Sequence, residues 1–257
     1  MLAFAIYISL KWLTWWRART RIEHPTWRSV AYLLAWPGMD ADRFLDETEN
    51  TRPPTAWEWL WAFFETILGA VLLWVIAGHL PKRSPLIRGW VGMVGLILFL
   101  HFGSFQLLAL LWRCLEVAAE PIMRAPLRST SLAEFWGKRW NLGFRQLAHE
   151  LIFRPTHRNL GAGIAGFFVF VVSGLIHDLV ISLPSRGGYG LPTLYFVMQG
   201  TGVTLERSRI GKKLGLARGV RGWCFMFVFL AGPLFWLFHP WFVMRVILPF
   251  MGVIHAL

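Results

Sequence analysis

The chain has 257 residues, of which 56% are hydrophobic, 16% aromatic and only 16% charged, and its mean hydropathy is +0.49. A water-soluble globule with so little polar surface would leave apolar area uncovered, so the composition points to a protein embedded in a membrane. The net charge of +12 lies in the connections between apolar runs with no nucleic-acid motif beside it, which excludes a nucleic-acid partner and points instead to topology and anionic membrane lipid.

The first apolar run, 1–16, contains Lys11 and lacks the basic start of a secretory signal. It is read as retained, either as a short span or as an interfacial helix. Residues 34–59 follow with the acidic cluster Asp40, Asp42, Asp46, Glu47 and Glu49 and a Pro-Pro break. The spacing matches no calcium loop and lacks the turn glycine, so a solvated loop is expected there. Further apolar runs lie at 60–78, 90–112, 162–183, 191–205, 222–238 and 241–256. A span needs roughly 20 residues, because a helix rises about 1.5 Å per residue through about 30 Å of hydrocarbon. The runs 60–78, 90–112 and 162–183 meet that length, and the others need flanks or protein partners. The expected fold is all-α, a polytopic helix bundle with about seven membrane segments, divided into N-terminal helices and loop (1–128), a core (129–207) and C-terminal helices (208–257).

Orientation follows from the basic residues. The connections 17–59, 113–161 and 206–221 carry 6, 8 and 6 Lys and Arg, against 3 and 1 in 79–89 and 184–190. With seven alternating spans the richer connections share one side, which the positive-inside rule makes cytosolic. The sixteen tryptophans suit headgroup boundaries, where an indole keeps its N–H wet. Cys114 and Cys224 lie near the ends of apolar runs and are read as packing residues. Compactness and the absence of N-x-S/T sequons point to a bacterial inner membrane.

Within 113–161, Ser131 with Glu134 three residues later is a capping pattern, and the residues after it predict an amphipathic helix against the cytosolic boundary. Downstream, His177 and Asp178 sit inside an otherwise apolar span. Ionisable groups at that depth are costly, by about 2.5–3.5 kcal/mol for charged types. Hydrocarbon favours the neutral imidazole, which accepts a proton as a general base must. Ser173, one turn earlier, is placed to orient the ring, and Gly163, Gly166 and Gly174 admit close neighbours. Asp178 points about 100° away and reads as a structural hydrogen bond to an adjacent helix or as a rim position. The bland reading of His177 is a hydrogen bond between helices.

The segments "FWGKRWN" (135–141), "SGLIHDL" (173–179) and "YFVMQGTGVTLER" (195–207), in that order, resemble the wax-synthase branch of the membrane-bound O-acyltransferase family. The resemblance covers about a third of the chain. It implies that His177 is the catalytic residue and that Asn141 is the polar residue closing the tryptophan motif. The implied reaction is transfer of a fatty acyl group from acyl-CoA or another acyl thioester, a co-substrate and not a bound cofactor, to a lipophilic alcohol. His177 would take the hydroxyl proton while Asn141 donates to the developing oxyanion. A positioned base contributes roughly 10²–10⁴ in rate. One oxyanion donor adds roughly 10²–10³. Lys138 and Arg139, with Arg145, would attract the donor's phosphates, and Trp136 and Trp140 would line its path. Gln199 faces either the tunnel or a neighbouring helix. No metal is called for, and no Gly-x-Ser-x-Gly elbow supplies a nucleophile. His101, near the middle of its own run, has no role in the family pattern, and Glu65 and Arg245 are expected to pair or snorkel. Glu206 is expected to cap the end of its own segment. Two alternatives remain at this level: haem ligation by His101 and His177, or a transporter with a His177–Asp178 proton relay.

Overall fold

The computed structural model describes residues 2–257, and every regular element among them is a helix. Three helices come first: α1 (Leu2–Ala18), α2 (Thr26–Ala35) and α3 (Ala41–Leu45). Then come α4 (Ala56–His79), α5 (Pro85–Cys114), a short α6 (residues 132–139) and α7 (Leu142–Ser185). The chain ends with α8 (Leu191–Arg207), α9 (Arg209–Leu214), α10 (Gly219–Leu237) and α11 (Pro240–Val253). Four of these, α4, α5, α7 and α10, are long and apolar enough to cross a membrane, with 24, 30, 44 and 19 residues. The remaining expected segments are the 17-residue α1 and α8 and the shorter α11; the first residue of the expected 1–16 segment, Met1, lies outside the described residues.

The start of α4 is fixed by a reciprocal cap in which Thr55 N donates to Glu58 Oε2 at 2.8 Å and Glu58 N donates to Thr55 Oγ1 at 3.3 Å. The same Glu58 holds Arg113 at 2.7 Å, so the beginning of α4 is tied to the end of α5. Between these ends the two helices touch backbone to backbone. A Cβ at Gly69 would stand 2.4 Å from Phe99 N, and one at Gly103 2.8 Å from Thr66 Cα.

The expected solvated acidic loop is instead a packed layer. Asp40 caps α3 by accepting from Arg43 N at 3.2 Å, and Phe44 and Leu45 are fully buried against Tyr32 and Trp36. Three of its five acids are in ion pairs: Asp42 with Arg21 at 3.0 Å, Glu49 with Arg43 at 3.2 Å and Glu47 with Arg28 at 3.7 Å. Two of the basic partners, Arg21 and Arg28, lie outside residues 34–59, so the stretch by itself does not reveal those pairs.

In the other half, α7 packs along α8. It kinks at Gly161, whose φ of 76° and ψ of 168° lie outside the helical range. A Cβ on Gly174 would stand 2.7 Å from Thr193 Cα, so glycine sets how closely α7 and α8 approach. Asp178 links the pair as expected, accepting from Ser182 Oγ at 2.8 Å, Gly190 N at 2.9 Å and Thr193 N at 3.1 Å. Arg245, which is exposed, donates to the carbonyls of Ser185 and Arg186 at 3.1 and 3.2 Å.

Candidate active site

α6 starts as the capping pattern predicts, with Glu134 N donating to Ser131 Oγ at 3.0 Å. The Glu134 side chain accepts from Thr130 N at 2.9 Å and from Arg139 Nε at 2.8 Å. The Thr130 N–H and, after it, the Arg139 guanidinium hold its carboxyl below the usual range. A second carboxylate arrives from α8. Glu206 is buried and accepts from Leu132 N at 2.8 Å and Ala133 N at 2.9 Å, two backbone donors that the first turn of a helix leaves free. Glu206 therefore caps α6 and not its own helix, correcting the sequence expectation.

The amphipathic helix expected from 131 onward breaks at Trp140. Asn141 adopts φ 46° and ψ 57°, a left-handed step that asparagine tolerates better than most residues. Backbone bonds pin this corner from outside: Leu142 N donates to Ile122 O at 3.0 Å and Arg124 N to Arg139 O at 2.8 Å. The chain then runs directly into α7, so one turn connects the tryptophan motif to the histidine helix.

Aromatic rings bridge the motif to His177. The Trp136 ring lies 5.6 Å from that of Phe196 on α8, and Phe196 lies 4.3 Å from the His177 ring. The Trp140 ring stacks on Phe135 at 5.3 Å and meets Phe102 of α5 at 6.2 Å. His177 Nδ1 donates to the backbone carbonyl of Ser173 at 2.6 Å, so Ser173 orients the ring through its carbonyl. A proton fixed on Nδ1 leaves Nε2 as the basic nitrogen.

A cavity of about 1600 Å³ separates the α4–α5 pair from the α7–α8 pair. It exceeds the roughly 300–1,000 Å³ of ordinary small-molecule sites, enough for two substrates side by side. His177 and Asn141 both border it, as do Trp136, Arg139 and Trp140. Lys138 is exposed and outside the lining, and Gln199 is fully buried behind it. Gln199 Nε2 donates to Phe229 O at 2.7 Å while its Oε1 accepts from Trp136 Nε1 at 3.4 Å, which makes it a helix bridge that seats Trp136. Gly163 and Gly166 have no neighbour within 4 Å of a Cβ and border the cavity, so they leave open space beside α7 and not the close helix contact expected of them.

Sequence reasoning missed Phe196, and it missed Arg128 and Arg207, which border the cavity together with Arg145. Among the described residues none of these three arginines is in an ion pair, whereas Arg139 is held by Glu134 at 2.7 Å. The available signal was the position of Arg128 and Arg207 at the two ends of the motif region.

Residues 119–198 match the model of the membrane bound O-acyl transferase family. The chain is 29% identical over 137 residues to probable long-chain-alcohol O-fatty-acyltransferase 7 of Arabidopsis thaliana, covering 47% of this chain and 39% of that protein. It is 30% identical to the long-chain-alcohol O-fatty-acyltransferase of Simmondsia chinensis, over 47% of this chain and 37% of the relative. Acyl-CoA–sterol O-acyltransferase 1 of Arabidopsis thaliana is 32% identical over 28% of this chain and 23% of its own. The chain thus spans less than half the length of these relatives, which are plant proteins and lend no support to a bacterial inner membrane. Across the region holding the tryptophan motif and His177, the chain is similar to membrane-bound O-acyltransferases of the wax-synthase-like branch.

Proposed function

We propose that the protein is a multi-pass membrane O-acyltransferase that moves a fatty acyl group from an acyl thioester, acyl-CoA in the simplest case, to the hydroxyl of a lipophilic alcohol. The observation that carries this reading is that one cavity is bordered by both His177, with Nδ1 committed to Ser173 O, and Asn141 at the corner of the tryptophan motif. Nε2 of His177 accepts the alcohol proton as the oxygen attacks the thioester carbonyl. The Asn141 amide donates to the oxyanion, the C–S bond breaks, and the imidazolium returns its proton to the leaving thiolate. The donor's phosphates meet Arg128, Arg145 and Arg207, and its acyl chain lies in the open space beside Gly163 and Gly166.

The test is incubation of membranes with labelled acyl-CoA and a panel of long-chain alcohols and sterols. Native protein forms labelled ester, while His177→Ala and Asn141→Ala, inserted at equal level, lose it by at least about 10². Full activity in His177→Ala ends the assignment.

A further inference from the structure

The wall of the cavity opposite His177 is not apolar. Glu65 on α4 and His101 and Gln106 on α5 all border it. None of them belongs to the motifs described above; Glu65 is in no salt bridge among the described residues, and its one side-chain partner is Trp61 on its own helix, which leaves acceptor capacity on the carboxyl. Among the described residues His101 Nδ1 is buried with no hydrogen-bond partner, in contrast to His177, whose Nδ1 is fixed by Ser173. The backbone contact of Gly103 with Thr66 is what brings these two helix faces together, since Glu65 and His101 lie within one turn of it. The next ring on α5, Phe102, rests on Trp140 beside Asn141, so this polar wall adjoins the same corner as the motif.

An acceptor with a single hydroxyl gives that hydroxyl to His177 and has only alkyl surface to lay against a carboxyl, an imidazole and an amide. Buried polar groups left unpaired oppose binding, and a site built around such groups discriminates strongly against an analogue lacking their partner. From this, and resting on the acyl-transfer reading, we infer that Glu65, His101 and Gln106 form a recognition site for a second hydroxyl, so that the preferred acceptor is a lipid with at least two hydroxyl groups and not a simple long-chain alcohol.

The experiment compares ester formation from cetyl alcohol with that from long-chain diols in which the second hydroxyl is moved stepwise along the chain. In native protein one diol is preferred by at least about tenfold in kcat/KM. In His101→Leu and Glu65→Leu the kcat/KM for that diol falls to the level of cetyl alcohol, and His101→Gln, which keeps hydrogen-bonding capacity, retains part of the preference. Equal use of cetyl alcohol and every diol by native protein overturns the inference, as does a preference that survives both leucine variants. If no acceptor is esterified, the acyl-transfer reading fails by itself. Thermal stabilisation then decides the inference: the diol must stabilise native protein more than cetyl alcohol does, with the difference lost in His101→Leu, and equal stabilisation refutes it.

Discussion

Asn141 answers to two demands that substitution separates. Its backbone stands in the left-handed region, and its amide is assigned to the oxyanion. Asn141→Gly keeps the conformation at no steric cost while removing the amide, so its melting temperature in detergent should match native while ester formation falls by roughly 10²–10³. Asn141→Val should lose activity and also about 1–2 kcal/mol of stability, because a β-branched residue is strained at positive φ. Near-native turnover in the glycine variant would remove the amide from the chemistry and leave Asn141 as a backbone corner only. His177 has no such second duty, since Ser173 O fixes its orientation and not the reverse.

At the scale of elements, α6 depends on two carboxylates at its start. Glu206→Ala leaves the N–H groups of Leu132 and Ala133 without their acceptor inside the protein, which should cost about 2–4 kcal/mol and move Trp136 and Asn141 with the helix. Unfolding in detergent should register the loss, and Glu206→Gln should recover part of it. Glu134 acts outside the membrane spans and titrates. Its folded carboxyl is held below the usual carboxylate range, so its contribution is fully present above the ordinary value near 4.3 and fades as pH falls through the folded value. Glu134→Gln should therefore destabilise at pH 7 and progressively less as the pH drops below about 4, as the native protein loses the same contribution. A destabilisation that stays constant across that range would place the role of Glu134 in packing. These caps also mark how far the sequence could be read. The Ser131–Glu134 pattern was legible because its partners are three residues apart, whereas the Glu206 cap joins residues 74 apart and the Arg43–Glu120 pair residues 77 apart. The break at Asn141 was hidden for the same reason: the helical pattern runs through it, and only the bonds from 122 and 124 turn the chain.

At the scale of the molecule, hydropathy located every long helix, because twenty apolar residues in succession are a local signal. It gave no account of the cavity, which arises from the way α4–α5 and α7–α8 pair within themselves and stand apart from each other. The arrangement changes which of the positive residues face the cavity: Lys138 lies outside its lining, while Arg128 and Arg207 join Arg145 in it. Arg128 precedes α6, Arg145 lies in the first turn of α7 and Arg207 ends α8, yet all border the same cavity, and among the described residues none is neutralised by an ion pair. Three exposed guanidinium groups around one mouth raise the local concentration of a polyanionic donor, and salt weakens that attraction because the Debye length is about 8 Å at physiological ionic strength. If the donor is acyl-CoA as proposed, replacing all three by glutamine should raise its KM by about tenfold or more with little change in kcat, since the proposed role of the arginines is to hold the phosphates and not the reacting carbonyl. The native enzyme's KM should rise steeply with ionic strength and the triple variant's only slightly. Equal salt dependence in the two proteins would mean that the donor's charge is read elsewhere, and a fall in kcat without a rise in KM would place these arginines in the reaction step and not in capture.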